Sequence, residues 1–161
     1  MQGSPDAPID DIDRIMSVME RAFSPEFGEA WNRRQVTDAL IVGSCRYGLI
    51  APDGSQNLES APDCAGFFMG RSILDEEELL LFAIAPEYRR RGLGHQLLDF
   101  FISQARANGM GRIFLEMRRD NPAGFLYAAH GFQEIGVRPA YYRTASGQRI
   151  DAISQELNLL D

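Results

Sequence analysis

Apolar residues recur along the chain in two rhythms, one of strands and one of helices. Residues 79–84 form an unbroken apolar run closed by Pro86, which predicts a strand buried on both faces. Pro86 has no amide hydrogen to give a ladder, so pairing is expected to stop there. A basic glycine turn follows, and then a helix whose Leu97, Leu98, Phe101, Ile102 and Ala105 share one face. This strand, turn and helix, residues 78–105, organise the chain.

The flanking pattern supplies the other elements. A first helix from Asp10 carries Ile12, Ile15, Met16, Met19 and Phe23 on one side and ends at Ser24-Pro25. A second, over 28–41, carries Trp31, Val36, Ala39 and Leu40, with Glu29 near its beginning. Residues 45–51 and 64–72 read as strands joined by a long polar loop, and 75–78 as an acidic, solvated corner. Gly109 and Gly111 stop the long helix. In the next strand, 112–117, alternation puts Ile113, Leu115 and Met117 on one face, with Phe114 and Glu116 on the other. Asn121-Pro122 opens a short helix that Gly131 closes. Residues 132–138 and 149–157 are the last strands, joined by a connection holding Pro139, Tyr141 and Tyr142. Residues 1–8 read as a disordered lead or a short first strand.

At 161 residues and 45% hydrophobic content, one domain with a proper core is expected. No apolar run reaches bilayer length and no signal-peptide pattern opens the chain, so a cytoplasmic protein is expected. Cys45 and Cys64 are expected to be reduced thiols, and neither they nor the two histidines have metal-ligand spacing. The net charge of -7, with all sixteen basic residues arginine, argues against nucleic acid as the main partner and permits a cationic substrate.

Two features point to chemistry. In the turn Arg89, Arg90, Arg91, Gly92, Leu93 and Gly94, glycines allow close backbone approach, arginines offer forked donors, and the helix start presents free amides. That combination suits a phosphate or pyrophosphate, or else is a solvated turn. Glu116 is a carboxylate inside an apolar strand, which suits either an ion pair with a nearby arginine or a general base.

The turn after its apolar strand resembles the coenzyme A pyrophosphate motif of the GNAT superfamily of acyl-CoA N-acyltransferases. The stretches LEMRRDNPAGFLYAAHGF and AYYRTASGQRIDA are similar to one branch of it, the bacterial ribosomal-protein-alanine N-acetyltransferases. The resemblance implies an α/β fold with a mixed, mostly antiparallel sheet of six or seven strands flanked by about four helices. It implies acetyl transfer from acetyl-CoA to an amine, most naturally a protein N-terminus, by a monomer or homodimer. Glu116 then falls on the proton acceptor and Tyr127 on the proton donor. Phe82, Ala83, Ile84, Arg89, Arg90, Arg91, Gly92, Leu93, Gly94, His95 and Asn121 fall on the coenzyme A contacts. Phe27, Glu29 and Trp31 border the acceptor, where Trp31 is alternatively a core or lid prop. Tyr141 and Tyr142 line a peptide groove or pack a loop. Asn121 and Tyr127 stand six apart where the branch usually has seven, its P-W-S element is missing, and Ala140 replaces an asparagine. A small-molecule amine acetyltransferase and a non-catalytic acyl-CoA sensor are the rival readings.

Overall fold

The computed structural model describes residues 7–43, 45–56, 58 and 63–160. Helix α1 (Ala7–Ala22) leads through a loop to α2 (Arg33–Thr37), which continues as a π-helical turn, Asp38–Val42. Strands β1 (Arg46–Ile50), β2 (Gly66–Ile73) and β3 (Glu76–Ile84) follow, then helix α3 (Leu93–Ala107) and strand β4 (Arg112–Arg118). Helix α4 (Ala123–Ala129) and strands β5 (Gln133–Arg143) and β6 (Arg149–Asn158) complete the fold. One sheet takes the order β1-β2-β3-β4-β6-β5, antiparallel except between β3 and β4. This is the mixed, mostly antiparallel six-stranded sheet with four α-helices that the resemblance implied.

Each face of the sheet buries its own core, as the two rhythms of the sequence require. On one face α3 packs Leu97, Leu98, Phe101 and Ala105 against Phe68, Ile113 and Ile153, all fully or nearly fully buried. On the other, Ile12, Ile15 and Met19 of α1 and Val36 of α2 meet Phe67, Met69 and Leu81.

The departure from a regular sheet makes the site. In the β2–β3 ladder Met69 faces Leu81 and Gly70 faces Leu79, so Leu80 is an extra residue. A bulge of this kind twists its strand and breaks the local ladder. On its other side, β3 pairs with β4 only over Glu76–Glu78. Beyond the bulge the two parallel strands therefore splay.

Four expectations need correction. The first helix starts at Ala7, earlier than Asp10. The second helix does not run from 28: Gly28 is left-handed (φ 63°) and Asn32 forms a capping box with Gln35, so Glu29 and Trp31 lie on a loop. The acidic stretch 75–78 is no solvated corner, because Glu76–Glu78 open β3 and Glu77 is fully buried, bonded by Arg46 at 3.1 Å. That guanidinium sits 4.5 Å over the Phe101 ring, a compensation invisible in local sequence. Pro139, Tyr141 and Tyr142 belong to β5, an edge strand that tolerates proline because one side needs no donor. The two cysteines are free, as expected. The expected lead or first strand over 1–8 lies largely outside the described residues; Ala7 and Pro8 begin α1.

Candidate active site

Two connected cavities open at the splay. The inner one, about 300 Å³, lies between residues 79–82 of β3 and 115–117 of β4 and is roofed by Phe27, Glu29, Trp31 and Tyr142. The outer one, about 900 Å³, runs from Phe82–Ile84 past Arg90, Gly92, Gly94 and His95 to α4. Phe23, Phe27, Glu29, Phe82 and Asn121 line both, so the cavities meet there.

Strand β4 supplies Glu116 by the alternation that buries Ile113, Leu115 and Met117 on the opposite face. One Glu116 oxygen lies 3.0 Å from Arg138 Nε on β5, and the other has no partner among the described residues. This carboxylate is therefore paired with an arginine and at the same time lines the cavity. Tyr127 lies on α4 with its ring edge-on to Phe82 at 6.1 Å and tilted against Phe132 at 5.7 Å. Burial, and secondarily the charge of Glu29, push its phenol well above the usual tyrosine range. It stays protonated at neutral pH and keeps its hydrogen to donate.

The outer cavity offers backbone donors. Ala85 N donates to Ala65 O on the β2 side at 2.8 Å, and strand alternation then turns the Phe82 and Ile84 amides toward the splay. Beyond the strand, Arg90 (φ 63°) and Gly92 (φ 80°) are both left-handed, curling the chain into the first turn of α3. The amides of Leu93, Gly94 and His95 have no helical partner in that turn. No atom lies within 4 Å of where a Cβ on Gly92 would stand, so a ligand has room to approach. These donors suit an amide-rich arm ending in a pyrophosphate, the shape of coenzyme A.

The structure sorts the residues proposed from sequence. Glu116, Tyr127, Asn121, Phe82, Trp31 and Tyr142 line the inner cavity. Ala83, Ile84, Arg89, Arg90, Gly92, Gly94 and His95 join Phe82 and Asn121 around the outer one. Arg89 turns inward, donating to Ile84 O at 2.9 Å and Ala22 O at 3.3 Å, and so fixes the strand end. Leu93 buries its side chain in the core and offers only its amide. Arg91 stacks 5.5 Å over Tyr88 and lines neither cavity. Tyr141, 52% exposed, also lies outside both, edge-on to Tyr142 at 5.3 Å. Asn121 accepts from Ala123 N at 2.9 Å and so starts α4.

Sequence reasoning missed Arg118. It is 8% exposed, stacks 3.6 Å over Phe27, donates to Glu29 at 3.1 Å and also binds Asp120. The signal was present in β4, where Arg118 falls two residues after Glu116 and hence on its face.

The family model for the GNAT acetyltransferases matches residues 12–132, the stretch from within α1 through α4 that supplies every lining residue of the two cavities except Tyr142. The chain belongs to the GNAT acetyltransferase family. It is 40% identical over 88 residues to the [ribosomal protein bS18]-alanine N-acetyltransferase of Haemophilus influenzae, covering 55% of this chain and 60% of that protein. The Escherichia coli enzyme of the same name is 39% identical over 94 residues, 58% of this chain and 63% of that one. The matched stretch thus spans less than two thirds of either relative. The crystal structure of the Escherichia coli ribosomal-protein-S18-alanine N-acetyltransferase superposes with a TM-score of 0.78 at 29% identity, covering 94% of this chain and 90% of that one. Among the described residues no helix is long and apolar enough to cross a membrane.

Proposed function

We propose that this chain, as a single transferase domain in the cytoplasm, moves the acetyl group of acetyl-CoA onto a primary amine, the N-terminal α-amino group of a ribosomal protein. The observation that carries the reading is the meeting of the two cavities at Phe82 and Asn121, with Glu116 and Tyr127 both lining the inner one. Likeness to the bS18-alanine N-acetyltransferases supports the choice of acceptor.

The outer cavity receives coenzyme A, with the α3 amides and Arg90 toward the pyrophosphate and the free β3 edge toward the pantetheine amides. That edge also orients and polarises the thioester carbonyl. Glu116, through its unpaired oxygen and directly or across a water, takes the proton as the amine nitrogen attacks the carbonyl carbon. The C–N bond forms, the C–S bond breaks, and Tyr127 gives its proton to the departing thiolate. Solvent then reprotonates the phenolate and removes the proton from Glu116. No covalent enzyme intermediate is needed. Cys64 is buried with its thiol pushed up to about 11, a poor nucleophile. An α-amino group near ~8 is easier to deprotonate than a lysine near ~10.4 by about 3.3 kcal/mol, which favours a chain terminus over a side chain.

Thiol release from acetyl-CoA tests the reading, using a peptide beginning Ala-Arg, a peptide whose only amine is lysine, and a panel of small amines. Turnover confined to the first peptide is expected. Acetyl-CoA binding without turnover on any acceptor would favour a sensor instead.

A further inference from the structure

Glu29 stands where the two cavities join, on a loop held by contacts distant in sequence. Its Oε1 accepts from Arg118 Nε at 3.1 Å, and its Oε2 has no partner among the described residues. Arg118 is buried under the Phe27 ring and shared with Asp120, so one guanidinium serves two carboxylates. Across the cavity Glu116 is paired with Arg138 at the exposed rim. Glu29 and Glu116 thus each hold one oxygen against a guanidinium and keep the other without a partner among the described residues. The inner cavity itself is lined by Glu29 and Glu116 and by no cationic side chain. The ring of Trp31, in the same cavity lining, presents a further surface suited to a cation. The field of Glu29 reaches the reacting end, because after burial its charge is the next cause raising the phenols of both Tyr127 and Tyr142.

We propose that Glu29, positioned by Arg118, is the residue that selects the acceptor by its charge, binding the ammonium form of the incoming amino terminus and releasing it once acetylated. The inference rests on the transferase reading above and deepens it. Division of labour follows from the pairing. Glu29 keeps one oxygen locked to a buried guanidinium and serves as a fixed anion. Glu116, whose partner is an exposed arginine, is the carboxylate that accepts the proton. Acetylation turns the cation into a neutral amide, so the product lacks the charge-assisted contact to Glu29.

The test compares two forms of one Ala-Arg peptide, with a free or an acetylated N-terminus, binding to enzyme loaded with CoA, where no turnover occurs. At pH 6.5 the free α-amine is protonated, its pKa lying near ~8. Calorimetry on the wild type is expected to show the free-amine form bound about 10- to 100-fold tighter than the acetylated form. E29Q is expected to bring the ratio to about one, whereas E29D, which keeps the charge, retains most of it. R118K, which weakens the fork that positions Glu29, is expected to fall between them. An E29Q or E29D enzyme that turns over peptide and keeps the wild-type ratio in both variants overturns the inference while leaving the transferase reading standing. A wild type that acetylates no α-amine peptide overturns both.

Discussion

In the proposed mechanism Glu116 and Tyr127 divide the proton work by environment rather than by residue type. Tyr127 is held neutral by burial, whereas Glu116 keeps one oxygen at an exposed arginine and the other free in the cavity. On this account E116Q lowers kcat/KM by about 10²- to 10⁴-fold and leaves acetyl-CoA affinity unchanged, measurable by steady-state kinetics beside cofactor titration. Y127F costs less, about 10-fold, because a thiolate near pKa ~8.5 leaves with little help. Equal losses in the two variants would contradict that division. Glu116 was legible in sequence because a carboxylate at a strand position between apolar neighbours demands a reason. Arg138 and Arg118 were not assigned to Glu116 and Glu29, since both contacts join residues distant in sequence.

At the scale of elements, the site is the consequence of one bulge. Leu80 adds a residue to β3, the strand twists away from β4, and the backbone edge freed from Phe82 to Ile84 becomes one wall of the outer cavity. The apolar run 79–84 gave no sign of the bulge, because every residue of it is hydrophobic whichever face it takes. Gly66 keeps this edge in place. A Cβ there would stand 2.7 Å from Ala83 O and 2.4 Å from Ile84 Cδ1, so G66A must push β3 outward. The expected result is a lowered melting temperature together with a raised KM for acetyl-CoA, read by thermal denaturation and by kinetics. A variant with wild-type cofactor affinity would separate the β3 edge from cofactor binding. The second helix shows the opposite limit of sequence reading. Its apolar spacing was real, yet the capping box at Asn32 started it late and freed Glu29 and Trp31 for the cavity roof.

Over the whole molecule, the element order and the two cores followed from periodicity, whereas the buried charges did not. Glu77 is fully buried against Arg46, and removing one partner of such a pair costs about 3 kcal/mol or more. E77A should therefore lower the melting temperature by roughly 6–12 °C. Tyr47 contributes to alkaline stability, its phenol pushed up to about 12 by burial and by the hydrogen bond to Asp11, as do Cys64, Tyr127 and Tyr142, which burial also raises. A pKa raised by folding contributes stability that is complete below the unfolded value near ~10 and is lost as pH climbs toward the folded one. The melting temperature should thus fall between about pH 10 and 12, and less steeply in Y47F. The net charge of -7 permits a cationic acceptor. The most direct measurement offers acetyl-CoA and a peptide carrying both an N-terminal alanine and an internal lysine, and locates the acetyl group by fragmentation mass spectrometry. A single acetyl on the α-amino nitrogen is expected. Acetyl found on the lysine, or none on either amine from enzyme that binds acetyl-CoA, would contradict it.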